Sequence, residues 1–328
     1  MNLFERVSIK KTELKTRLVL PPMATAKSTP EGYASDALCD YYEKRAAGGK
    51  IGLIITEHSF VSKRGKASAN QMSMASDDVI PGLRKLTEMI HKYDTKVIAQ
   101  INHAGSATMS AVTGSAIISA SAVLNPGRKA GLADEIPESM TAEQIRAAEK
   151  EFADAAVRVK KAGFDGVEIH SAHGYLLNQF YSPLTNKRTD EYGAGSLENR
   201  LRIHKEILQQ VREAVGEDYL IAVRFGGCDY MEGGSTIEEA AEAAKLLERY
   251  GADLLDISGG MCRFDRPGHK EAGYFSDLSK AVKDQVSVPV IVTGGIRTVE
   301  EANDLLEKEK ADLIGVGRTF MKNPNWGN

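Results

Sequence analysis

Residues 142–180 read AEQIRAAEKEFADAAVRVKKAGFDGVEIHSAHGYLLNQF, and this stretch decides the fold. Ala142 to Ala162 is an amphipathic helical segment, with Thr141 as a plausible N-cap and Gly163 as a plausible stop. The turn KAGFDG then feeds straight into a short apolar run, Gly166 to Ile169. Such runs suit parallel strands buried on both faces. His170, His173 and Tyr175 follow where this strand ends. Two imidazoles can donate hydrogen bonds to a carbonyl oxygen, and a phenol can supply a proton. A lone histidine would be read as structural. Three such groups at one strand end favour chemistry on a carbonyl-conjugated system.

The same unit recurs along the chain. Strand candidates are Arg17 to Met23, Ile51 to Thr56, Lys96 to Ile101, Gly166 to Ile169, Leu220 to Phe225, Leu254 to Ile257, Val290 to Thr293 and Leu313 to Val316. Between them lie helical segments such as Pro81 to Tyr93, Ser196 to Val215, Ile237 to Tyr250 and Val299 to Lys308. Ser196 is a plausible cap, and Gly216 and Gly251 are plausible stops. Eight strands with helices between them predict an α/β fold, a (β/α)₈ TIM barrel forming a single domain over residues 1–328. The rival is a doubly wound open sheet. It loses because no GxGxxG follows an early strand.

Ligands in such a barrel bind at the C-terminal ends of the strands. The chemistry is therefore expected at Pro21 to Thr25, Glu57 and His58, Gln100 to His103, His170 to Tyr175, Arg224, Ser258 to Met261, Gly294 with Gly295, and Gly317 with Arg318. Residues 103–140, after strand three, are irregular and long enough for a lid. Residues 1–15 read as a hairpin or extended segment across the bottom of the barrel.

Composition narrows the class. The 328 residues are 42% hydrophobic and 27% charged, as expected of a globular chain with a sizeable core. A net charge of −3 gives no reason to expect nucleic acid or an anionic membrane as partner. Cys39, Cys228 and Cys262 are scattered and form no CxxC pair. That argues against a disulfide framework, a zinc site or an iron–sulfur cluster, and suits a reducing cytoplasm. No signal peptide or membrane span is visible, so a cytoplasmic location is expected.

VIVTGGI (290–296) and IGVGRTF (314–320) close strands seven and eight. Many barrels hold a phosphate there, and Arg318 adds a guanidinium fork. The bland alternative is that these glycines merely fit tight turns. Sugar phosphates, pyridoxal phosphate and flavin mononucleotide (FMN) all use such sites. No lysine stands at a strand end, so a Schiff base is poorly supported. Gln100 and Arg224 do stand at strand ends, where an amide and a cation suit a flavin ring.

Together these residues resemble the Old Yellow Enzyme family of FMN-dependent ene reductases, within the bacterial branch of YqjM-like reductases and the barrel domain of dienoyl-CoA and enoate reductases. The resemblance rests on PPM at 21–23, GLIITE at 52–57, QINHAG at 100–105, EIHSAHGYLLNQFYSPLTNKRTDEYG at 168–193 and ENR at 198–200. It implies that Pro22, Met23 and Ala24 line the flavin, Gln100 bonds its pyrimidine edge and Arg224 lies near N1. It also implies that Gly294, Gly295, Gly317 and Arg318 hold the phosphate. His170 and His173 are then the catalytic pair for a substrate carbonyl, and Tyr175 the proton donor. NADPH or NADH is the implied reductant, a small activated alkene the substrate, and a homo-oligomer is left open. Ala24 stands where the family often has Cys or Thr, and His58 where a small residue lies close to the flavin. Relatives continue beyond the position of Asn328, some into iron–sulfur and dinucleotide-binding regions. Direct reduction by nicotinamide or an external donor is therefore expected.

Two other readings differ in class. One is a barrel hydrolase binding a metal through His170, His173 and carboxylates; PPMAT stands where such enzymes carry HxH. The other is a protein that binds FMN without turnover.

Overall fold

The protein is described from a computed structural model covering residues 1–327. Eight parallel strands close into a barrel. They are β1 Leu18–Leu20, β2 Leu53–Phe60, β3 Lys96–Asn102, β4 Gly166–Ser171, β5 Leu220–Cys228, β6 Leu254–Gly259, β7 Val290–Thr293 and β8 Leu313–Gly315. Neighbours in sequence are neighbours in space, and the seam closes where Ile314 pairs with Leu18 and Gly315 with Val19. This is the expected TIM barrel.

Alternation along each strand divides the core. Leu18, Leu20, Ile54, Val97 and Ala99 pack outward with the helices. Val19, Leu53, Ile55, Ile98, Leu220, Leu254, Ile291 and Leu313 fill the interior. Residues Val7–Ile9 and Thr12–Leu14 form an antiparallel hairpin whose Ile9 and Leu14 join the interior cluster. The hairpin therefore seals one end of the barrel.

The helix before β4 runs Ala142–Lys161 and opens on a capping box between Thr141 and Gln144. Several element boundaries differ from the sequence reading, β1 and one helical segment among them. β1 stops before Pro21, which lacks the N–H a ladder needs. The segment expected from Ser196 to Val215 is two helices, Leu197–Arg200 and Arg202–Val215, parted at Leu201. Ser196 caps the first of them.

Candidate active site

β4 delivers the central group. His170 lies on the strand, and the chain then turns through Ala172, with His173 at φ 61° and Gly174 at φ 72°. Two successive left-handed residues reverse the backbone sharply. They set Tyr175 at the start of the helix Leu176–Tyr181. The His170 ring lies 5.0 Å from both the His173 and the Tyr175 ring, near-perpendicular to the former. His58, from β2, adds its ring 5.3 Å from that of Tyr175. β2 is longer than expected and shifts register between Thr56 and Ser59, which carries His58 to this end of the barrel.

Burial keeps these imidazoles neutral. It pushes His58 down to about 4, helped by the charges of Arg263 and Arg224. It also holds His170 and His173 well below the usual histidine range. A neutral imidazole has one N–H, so its tautomer decides where it donates. His173 Nε2 lies 2.7 Å from Ser258 Oγ. If that hydroxyl donates, Nδ1 carries the proton. His170 Nδ1 is buried and has no partner. Burial raises the Tyr175 phenol above its ordinary value, opposed by the adjacent Arg263.

Below this group sits a buried polar cluster. Gln100 Nε2 donates to Glu168 Oε1 at 2.7 Å. Arg224 Nη1 lies 3.4 Å from Asp256 Oδ2, without hydrogen-bond geometry, and its Nε and Nη1 have no acceptor. Burial raises Asp256 to about 6, and it raises Glu168 well above the carboxylate range with help from Asp256. Of the two acids Glu168 is the one that keeps its proton, leaving Asp256 to balance Arg224.

The ends of β7 and β8 form a third region. Gly294 has φ 138° and Gly295 φ 69°. A Cβ on Gly294 would lie 2.7 Å from the Tyr274 ring, and one on Gly317 would lie 2.9 Å from Met23 Sδ. Backbone conformation and packing thus require glycine at 294, while at 317 the flexible Met23 side chain could give way. Among the described residues, the N–H groups of Gly294, Gly295 and Gly317 donate to no protein acceptor. Arg318 Nη2 donates to the Tyr274 hydroxyl at 2.9 Å, and Nη1 lies 3.4 Å from Asp265. Free N–H groups beside a guanidinium fit a phosphate, and the orphaned donors of Arg224 fit an acceptor edge. The residues present therefore suit FMN. Pro22 and Met23 are half-buried after β1, and Ala24 is exposed.

Among the described residues no three His, Cys, Asp or Glu side chains are grouped to hold a metal ion. The hydrolase reading finds no ligand set beyond the histidine pair. Sequence reasoning did not single out Arg263, Tyr274 or the pair Glu168 and Asp256. The acids were hidden in strand runs, and the other two lie in a loop, residues 261–274, whose path is set by distant contacts.

The sequence profile described as the NADH:flavin oxidoreductase / NADH oxidase family matches residues 2–328. The NADH oxidase of Thermoanaerobacter brockii is 40% identical over 331 residues, covering 99% of this chain and 50% of that protein. The NADPH dehydrogenase of Halalkalibacterium halodurans is 38% identical over 325 residues, covering 99% of this chain and 92% of that one. The structure of the old yellow enzyme homologue from Zymomonas mobilis superposes with a TM-score of 0.86 at 27% identity, over 99% of this chain and 90% of that one. The chain belongs to the NADH:flavin oxidoreductase family of Old Yellow Enzyme type, an oxidoreductase family that works with FMN and NADH or NADPH. It spans about half the length of the Thermoanaerobacter protein. No helix among the described residues is long and apolar enough to cross a membrane.

Proposed function

We propose that this site reduces an activated alkene, with a carbonyl or nitro group conjugated to the double bond, at the expense of NADH or NADPH. The observation that carries the reading is the buried triangle of His170, His173 and Tyr175, with rings 5.0 Å apart on two of its sides. FMN, when bound, supplies hydride chemistry between the nicotinamide and the alkene. The protein's own groups supply the rest.

His170 and His173 present neutral N–H donors to the substrate oxygen. Donors fixed where negative charge develops act more strongly in a buried site than in water. Ser258 is a positioning residue, because its hydroxyl lies 2.7 Å from His173 Nε2 and holds the ring in place. Tyr175 keeps its proton through neutral pH and gives it to the α-carbon. Gln100 and Arg224 would hold the polar edge of the flavin. Gly294, Gly295, Gly317 and Arg318 would hold its phosphate, with Pro22, Met23, Ala24 and His58 along the ring.

The purified protein is expected to be yellow. Anaerobic NADH or NADPH bleaches it, and an enone restores the colour. A protein that carries flavin but is not bleached, or is bleached without recovery on adding enones, nitroalkenes or enoates, overturns the reading.

A further inference from the structure

The turn after β6 is built to aim one side chain back over the site. A Cβ on Gly259 would lie 2.2 Å from the Arg263 carbonyl, and one on Gly260 would lie 2.2 Å from Asp229 Oδ1. Only glycines allow the chain to fold back so tightly. The fully buried Asp229 pins the turn by accepting from the Met261 N–H at 2.8 Å. The Arg263 N–H closes it on the Gly260 carbonyl at 2.9 Å, and Arg263 itself takes φ 66°. A non-glycine residue in that conformation is strained, and such strain persists only where the surroundings hold it.

The guanidinium that results stands beside the Tyr175 phenol. Its Nη1 donates to the Gly127 carbonyl at 3.0 Å, which ties the segment after β3 to the turn after β6. Phe264, half exposed, places its ring 6.0 Å from that of His173, so this rim is aromatic as well as cationic. No carboxylate among the described residues lies within ion-pair distance of Arg263. The neighbouring acids and bases pair elsewhere: Asp265 faces Arg318 at 3.4 Å, and Arg266 meets Asp277 at 2.8 Å. The nearby His58, His170 and His173 are neutral and add no negative charge. With one N–H on the Gly127 carbonyl and one on the Tyr175 hydroxyl, most of the five N–H groups of this arginine remain free. An arginine without a counter-ion, half-buried at the mouth of a site, is an anion receptor in waiting.

We propose that Arg263 selects the substrate by binding a carboxylate carried on it, so that the site prefers activated alkenes bearing an anionic group over their neutral counterparts. The inference rests on the ene-reductase reading. The histidine pair takes the conjugated oxygen, and Arg263 takes the acid group from the rim beside Tyr175 and Phe264.

The test uses the FMN-loaded protein and three pairs of probes: 2-, 3- and 4-hydroxybenzoate, each against its carboxamide. Their phenol oxygen occupies the place of the substrate carbonyl, and binding is read from the perturbed flavin absorption. At least one acid is expected to bind about ten- to hundredfold more tightly than its amide, the range of a charge-assisted contact. Arg263→Gln brings that ratio close to one, whatever it does to the absolute affinities, and Arg263→Lys keeps part of it. Equal binding of all three acids and their amides by the parent protein overturns the proposal, as does a preference that survives in Arg263→Gln. Reoxidation by 2-cyclohexenone separates the two readings. If amides bind as well as acids while cyclohexenone is reduced, only the role of Arg263 falls. If no probe binds and cyclohexenone is inert, the ene-reductase reading falls and the role of Arg263 with it.

Discussion

Tyr175→Phe separates the two halves of the proposed reaction. Tyr175 is 7% exposed, and its ring packs against His170 at 5.0 Å and His58 at 5.3 Å. Its N–H donates to Ala172 and its carbonyl accepts from Gln179, so the backbone does not depend on the hydroxyl. The phenol oxygen has only Arg263 beside it among the charged groups that act on it. Phenylalanine keeps every other contact, and stability should fall by no more than about 1 kcal/mol. A positioned proton donor contributes about 10²–10⁴-fold in rate, equivalent to roughly 3–5 kcal/mol of barrier. Solvent replaces part of that, so the expected loss is at least about tenfold. Stopped-flow absorbance reads the two steps apart. Bleaching by NADPH or NADH stays near the parent rate, and reoxidation by 2-cyclohexenone slows. Nitroalkenes suffer less, because their anions survive until water protonates them. The phenol is held above its ordinary value of 10, so ionisation of Tyr175 should take nothing from parent reoxidation up to about pH 9. Equal slowing of both steps, or of neither, refutes Tyr175 as the donor.

Arg318→Ala should weaken FMN retention about tenfold, the lower end for a charge-assisted contact because the side chain is 60% exposed; unchanged flavin content after ultrafiltration counts against it. Gly294→Ala forces a Cβ against the Tyr274 ring at φ 138°. It should release flavin and lower the melting temperature by several degrees, for a strain of about 1–3 kcal/mol; a fully loaded variant with parental melting would contradict the close packing. Glu57, pushed up by burial from 4.5 to about 7, gives a pH-dependent stability. Below pH 4.5 its carboxyl is neutral in both states, and between 4.5 and about 7 the folded chain keeps a proton that the unfolded chain sheds. Stability therefore falls as pH rises through that window. Glu57→Gln should match the parent near pH 4.5 and exceed it at pH 8 by at most about 3 kcal/mol; melting curves that run parallel at both pH values would refute this.

The barrel was legible because the strands are buried on both faces and read as runs near-continuous in Val, Ile and Leu, while the helices between keep a polar side. The helices Asp36–Ala46 and Ser276–Lys283 were not picked out. The first buries only Leu38, Tyr42, Arg45 and Ala46, and the second only Leu278, Ser279 and Val282. Such narrow apolar stripes are hard to tell from loop. At the site, His170, His173 and Tyr175 could be placed together because local geometry joins them. Arg263 could not, since its position depends on Asp229 and Gly127, each more than thirty residues away in the chain. The Gln100 contact with Glu168 spans 68 positions and joins adjacent strands, so it needed the register as well as the strand assignments.

Closure of the barrel between Leu313–Gly315 and Leu18–Leu20 imposes an order on synthesis. During translation β1 waits without its second neighbour until β8 has left the ribosome. The groups proposed to face the flavin ring, from Met23 to Arg224, emerge well before Gly294, Gly295, Gly317 and Arg318. A nascent chain thus owns the surface for the ring before it owns the grip for the phosphate. Stalled chains cut before Gly294 should fail to hold FMN, however well their earlier strands have formed.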